Sequence, residues 1–137
     1  MSDLSARMNL IKTLLAAAAP LRVVTREFID FGMRADADLV KGVYTLISRG
    51  EDGYQNFNGR EAMDGVQRIT LVGQIRVANN STTSSLEDAE FAMVEEIKAF
   101  VRARPIELCT LAMKGFTQSG QIEHPDGWIA VELEFLV

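Results

Sequence analysis

One histidine and one cysteine bound the chemistry this chain can support. His124 directly precedes Pro125 in His124-Pro125-Asp126-Gly127, where Pro and Asp suit the central positions of a type I turn with Gly following. It therefore reads as a turn residue. Zinc sites use ligand sets such as two cysteines with two histidines, or three histidines, which this chain cannot supply, so no metal ligand is assigned. Cys109 falls among Leu108, Thr110 and Leu111, inside what reads as a strand. As a nucleophile it would need a base from elsewhere, and a buried, inert thiol is expected.

Asp36 with Asp38, and Glu51 with Asp52, are paired carboxylates of the kind that bind hard cations. They lack the Gly-x5-Glu continuation of an EF-hand loop and read as solvated loop charge. No Gly-x4-Gly-Lys-Ser/Thr, Gly-x-Gly-x-x-Gly or Gly-x-Ser-x-Gly run occurs. With this stock of groups no catalytic residue and no cofactor is assigned, and the chain reads as a non-enzyme.

Binding chemistry is better represented. Gly50 to Gly65 interleaves glycines with Glu51, Asp52, Asn56, Asn58, Arg60 and Asp64, too much turn chemistry for a regular element. Excursions of that length in a compact domain are commonly functional or disordered. Tyr54 and Phe57 lie in it as aromatic anchors would on a binding surface, with Arg60 as a polar contact. The alternative is that both rings fold back onto the sheet. Trp128 opens the last strand on the row opposite its apolar residues, so it either packs under a helix or meets another subunit.

The elements that must position these residues follow from hydrophobic period. Ser2 or Asp3 can cap a first helix carrying Leu4, Met8, Ile11, Leu15 and Ala18 on one face, and Pro20 ends it. Leu21 to Ile29 reads as a strand, Gly32 to Asp38 as a charged connection, and Leu39 to Arg49 as a second strand apolar on both faces. Gln67 to Val77 is a cleaner strand, with Ile69, Leu71, Ile75 and Val77 opposed to Arg68, Thr70, Gln74 and Arg76. That polar row is expected to face water or a partner.

Ser84-Ser85-Leu86-Glu87 fits a capping box, starting a helix near Ser85 with Leu86, Met93, Val94, Ile97, Phe100 and Val101 as its stripe. Acidic residues near its start and Arg102 and Arg104 near its end match the helix dipole, and Pro105 stops it. Ile106 to Thr117 supplies a further strand. In Gly127 to Val137, Ile129, Val131, Leu133, Phe135 and Val137 share one face, so the chain is expected to end on the return arm of a hairpin.

This order has no alternating strand-helix repeat. It predicts a single α+β domain over residues 1–137: a mostly antiparallel or mixed sheet of four to five strands, with two helices on one face. At 137 residues such a domain buries about 70% of the surface its unfolded chain exposes. A net charge of -5 and a pI near 4.9 argue against a general nucleic-acid binder. No stretch approaches the roughly 20 apolar residues that span a bilayer. Leu14 to Ala19 is apolar, but Arg7, Lys12 and Pro20 flank it as in an amphipathic helix, unlike a signal peptide.

The strand Gln67 to Val77, the helix Leu86 to Lys98, a penultimate strand and the terminal Gly127 to Val137 follow a leading helix, Leu4 to Ala18. In that order and texture the chain resembles the tail terminators of long-tailed bacteriophages, the family of minor tail proteins that includes the lambda tail terminator. The resemblance implies a small α+β protein of the virion tail, made in the bacterial host's cytoplasm from a phage or prophage gene. It implies a homohexameric ring on the last ring of tail tube protein, which stops tube polymerisation and offers a surface to head connector proteins. Binding without catalysis or cofactor is implied, with no direct nucleic-acid or membrane partner. Gly50 to Gly65 and Leu21 to Ile29 match the family least. The alternatives are a head-tail adaptor, or a small-molecule-binding or enzymatic α+β domain with its site between the sheet and the Gly-rich loop.

Overall fold

A computed structural model describes residues 3–54 and 65–136. Ser2 as a helix cap, Phe57, Arg60 and Val137 lie outside the described residues. The elements are α1 (Asp3–Ala18), β1 (Val23–Thr25), α2 (Asp36–Lys41), β2 (Val43–Asp52), β3 (Val66–Arg76), α3 (Thr83–Arg102), β4 (Leu111–Gln118) and β5 (Asp126–Leu136). The five strands form one mixed sheet in the order β1-β2-β3-β5-β4, an α+β fold. Only β1 and β2 run parallel, joined by the crossover that contains α2; the other neighbours are antiparallel.

The period-2 rows decide which face is core. Tyr44 and Leu46 of β2, Ile69, Leu71 and Ile75 of β3, and Ile129, Val131, Leu133 and Phe135 of β5 all point to one side and are buried. Against them pack Met8, Ile11 and Leu15 of α1 and Met93, Val94 and Ile97 of α3. Each such side chain, fully buried, contributes about 1.5–3 kcal/mol before entropy is subtracted. Gly73 is required by close packing: a Cβ there would lie 2.7 Å from Ile129 Cγ1 of the neighbouring strand and 3.0 Å from Met93 Cε of α3. Gln67 shares the core row and is buried, because Arg7 Nη1 donates to its Oε1 at 2.9 Å and its Nε2 donates to Ser48 Oγ at 3.3 Å.

Several sequence boundaries move. The strand expected over Leu21 to Ile29 contracts to Val23–Thr25, since the chain leaves the sheet after three residues to cross its opposite face. The expected connection from Gly32 to Asp38 holds a 3-10 turn, Phe31–Met33, and the start of α2, a third helix. Leu39 belongs to α2, so β2 begins at Val43; it also runs on to Asp52, past a bulge between Ser48 and Gly50, and takes the start of the Gly-rich stretch into the sheet. Gln74 does not face water: it is buried where its Nε2 donates to the Ile29 carbonyl at 3.1 Å and Arg34 Nε donates to its Oε1 at 3.0 Å.

Helix α3 starts earlier than its capping-box reading. Thr82 is the N-cap, its Oγ1 accepting from Ser85 N–H at 3.2 Å. The strand expected from Ile106 begins only at Leu111, after a 3-10 turn over Ile106–Leu108. Cys109 consequently sits in a turn and is exposed, not buried in a strand. His124–Pro125 is a cis peptide, and Asp126 N–H donates to Glu123 O at 2.9 Å. Pro125 thus occupies the third position of a type VI turn instead of the expected type I.

Candidate protein-interaction surface

The described residues leave half of one sheet face open. Its β1 end is covered by the chain from Ile29 to α2, where Arg76 Nη1 reaches Asp36 at 3.1 Å and Arg76 Nε holds Asp126 at 2.7 Å. Asp126 first, then Asp36, push the Arg76 guanidinium pKa above its ordinary value. Beyond this cover the face carries Arg68, Thr70, Ala130, Glu132, Glu134 and Lys114, all exposed or half-buried.

Charges alternate across this open area. Arg68 Nε donates to Asp52 at 3.0 Å and its Nη1 pairs with Glu134, which faces it directly across β3 and β5. Lys114 Nζ lies 3.5 Å from the other Glu134 oxygen, and Thr70 Oγ1 donates to Glu132 at 3.1 Å. Asp52 foremost, with Glu134, raises the Arg68 pKa. Cross-strand pairs of this kind contribute modestly to stability, so the row acts chiefly as a polar, patterned surface.

Trp128 starts the exposed row of β5, half-buried, opposite Gln74. Its backbone N–H donates to Glu90 Oε2 at 3.1 Å. Tyr54 is exposed just beyond β2, its hydroxyl donating to Glu51 Oε1 at 2.7 Å. The two expected anchors are not brought together. Asp52 pairs with Val66 and Trp128 with Gln74, eight residues along β3, or roughly 25 Å at the rise of a strand.

Sequence reasoning missed the most buried charge-bearing cluster. Glu90, 1% exposed, accepts from Ser119 Oγ at 2.5 Å and Gln118 Nε2 at 3.2 Å as well as from Trp128. Gln121 Nε2 adds a bond to Glu87 at 2.8 Å. Together these bonds tie the β4–β5 connection to the first half of α3. A usable signal existed: Glu90 lies four residues after Leu86 and three before Met93, on the apolar stripe itself. The site is occupied by the protein's own donors, so its chemistry is structural.

A second hydrogen-bonded relay, buried only at Tyr44, joins β2, α3 and the connection between α1 and β1. Tyr44 is fully buried with its hydroxyl 3.1 Å from Met93 O and 3.2 Å from Glu96 Oε1, and Arg22 forms a bidentate pair with Glu96. Burial, reinforced by the Glu96 carboxylate, pushes the Tyr44 phenol pKa up. Arg22 and Glu96 border an open groove of about 760 Å³ with Ala18, Pro20, Leu21 and Val40, in which Leu21 is 83% exposed. Another groove, of about 490 Å³, lies between the end of α3 and β4, lined by Val101, Met113 and Phe116 with Lys98, Arg102 and Lys114.

Among the described residues no group of three or more His, Cys, Asp or Glu side chains could hold a metal ion. Nor, among them, is any helix long and apolar enough to cross a membrane. Comparison of the chain with protein-family models gives no match, and comparison with the curated proteins gives none either.

Proposed function

We propose that this chain is a tail terminator, or a closely related tail-completion protein, of a long-tailed phage or prophage. In this reading copies close into a hexameric ring on the end of the tail tube, stop its polymerisation and present the surface that head connector proteins engage. The protein works by binding, with no covalent step.

The observation that carries the reading is the arrangement of the second half of the chain. The strand, helix, strand, terminal strand order behind the resemblance closes into one unit, with β5 inserted between β3 and β4 and α3 packed across them. Among the described residues, separate exposed surfaces suit a ring and its partners: the patterned sheet face around Arg68 and Glu134, and the two grooves at opposite ends of the sheet. Cyclic assembly requires two different patches on each copy, and these meet that requirement.

Incubating the protein with preformed tubes of the same phage's tube protein tests this. Sedimentation should carry the protein down with the tubes, and negative-stain images should show added density at one tube end only. Pelleting no greater than that of an unrelated protein, with bare tube ends, would remove the reading.

A further inference from the structure

Between β1 and α2 the chain crosses the outer face of the sheet with little apolar surface holding it there. No side chain of residues 27–34 is buried: Ile29, Phe31 and Arg34 are half-buried and the others exposed, Phe28 at 51% and Met33 at 80%. None of them belongs to the hydrophobic core cluster. Helix α2 has an anchor of its own in Leu39, 0% exposed, so the weakly held part ends at Ala35, the residue that caps α2. Segments with few buried apolar contacts lie at the low end of local stability.

What lies beneath this segment is polar. Gln74 is 1% and Thr45 0% exposed, on the face opposite the core row that includes Tyr44 and Leu46. Gln74 Nε2 donates to Ile29 O at 3.1 Å, Arg34 Nε donates to Gln74 Oε1 at 3.0 Å, and Arg34 Nη2 lies 3.5 Å from Thr45 Oγ1. Arg34 Nη2 also donates to Glu27 O at 2.9 Å, closing the segment on itself. Apart from Glu27 N–H, which donates to Thr25 Oγ1 at 3.0 Å where β1 ends, these are its hydrogen bonds to the sheet among the described residues. One glutamine therefore holds both a carbonyl and the cation of the segment. Arg76 adds little: its contact with Asp36, whose side chain is 72% exposed, is a surface pair, and its shorter bond goes to Asp126 in β5. Beneath a permanent cover an apolar residue would avoid the cost of desolvating an amide. Beneath a cover that lifts, Gln74 and Thr45 keep hydrogen bonds in both states, to the segment when closed and to water when open.

We propose that residues 27–34 are a latched strap that opens as a unit while the sheet and α2 stay folded, with Gln74 as the latch. Opening bares Thr45 and Gln74, and extends the exposed polar row of β3 from Arg68 and Thr70 to Gln74. The strap is a property of the fold and stands apart from the tail reading.

Thiol labelling under native conditions tests it. In a Cys109→Ser background, Thr45→Cys in one chain reports the strap, and Val131→Cys in another, 0% exposed in the core, reports unfolding of the whole. The Thr45→Cys chain should react at least about 100-fold faster than the Val131→Cys chain, with little dependence on low urea, because only a local opening is needed. Adding Gln74→Ala should speed the Thr45→Cys reaction by about tenfold. Glu90→Ala removes bonds that the closed and open forms both keep, so it should speed labelling of the Val131→Cys chain and leave the Thr45→Cys chain within about twofold. Equal rates in the two chains with equal urea dependence, or a Thr45→Cys rate indifferent to Gln74→Ala, overturns the proposal. Trypsin cleavage after Arg34, in a chain that keeps threonine at position 45, reads the same opening. It should quicken with Gln74→Ala and hold steady with Glu90→Ala, and the opposite response to either substitution overturns the strap.

Discussion

The backbone N–H of Trp128 donates to Glu90 Oε2 at 3.1 Å, so the start of β5 hangs on a carboxylate buried in the middle of α3. The same carboxylate accepts from Ser119 and Gln118, at the other end of the connection between β4 and β5. One side chain thereby fixes both ends of the terminal hairpin against the helix layer. Replacing it strands at least two buried donors. Glu90→Ala should cost about 2–4 kcal/mol in chemical denaturation, the range for leaving buried hydrogen-bonding groups unmade. Glu95→Ala, on the exposed side of the same helix, should stay within about 0.5 kcal/mol.

Gly127 lies beneath that carboxylate. A Cβ there would stand 2.5 Å from Glu90 Oε2 and 2.5 Å from Leu86 Cδ1. Gly127→Ala should therefore destabilise by about 1–3 kcal/mol through overpacking. Gly115→Ala, in the neighbouring strand with open space around the added methyl, should leave the unfolding midpoint nearly unchanged.

Tyr44 gives the fold an alkaline limit. Unfolded, its phenol ionises near the ordinary value of 10.0; folded, burial and Glu96 hold the proton to higher pH. This group's contribution is intact below that value and is lost as pH rises past it, by up to about 1.4 kcal/mol per pH unit. Tyr44→Phe should lose about 1 kcal/mol at neutral pH from the missing hydrogen bond and then fall less steeply than wild type above pH 10.0. Denaturation series at both pH values measure the difference.

Thr82 should matter more to α3 than the serines after it. Thr82→Ala removes the oxygen that accepts from Ser85 N–H and should cost about 1 kcal/mol. Ser84→Ala, which leaves that bond in place, should cost a few tenths at most by the same measurement.

What was legible in the sequence depended on how many residues shared a period. The row from Ile129 to Phe135 repeats often enough to fix its face, and every one of those residues is buried. Helix α2 has six residues, less than two turns, and its one buried side chain, Leu39, leaves no stripe to read. Gln74 and Glu90 look like surface residues by type; they are buried because Ile29 in one case and Ser119 and Trp128 in the other supply partners from distant parts of the chain. Cys109 shows the converse, an apolar-looking neighbourhood turned outward by the 3-10 turn after Pro105. Of the candidate interaction residues, whose two alternatives the sequence left open, Tyr54 is exposed, Trp128 is half-buried at the far end of the sheet, and Phe57 and Arg60 fall outside the described residues.

Tube length tests the central claim most directly. Tube protein is allowed to polymerise with increasing amounts of this chain, and lengths are measured in electron micrographs. The account predicts tubes that become shorter and more uniform as the chain is added, with growth resuming only at ends that lack it. Length distributions that match those of tube protein alone at every ratio would contradict it.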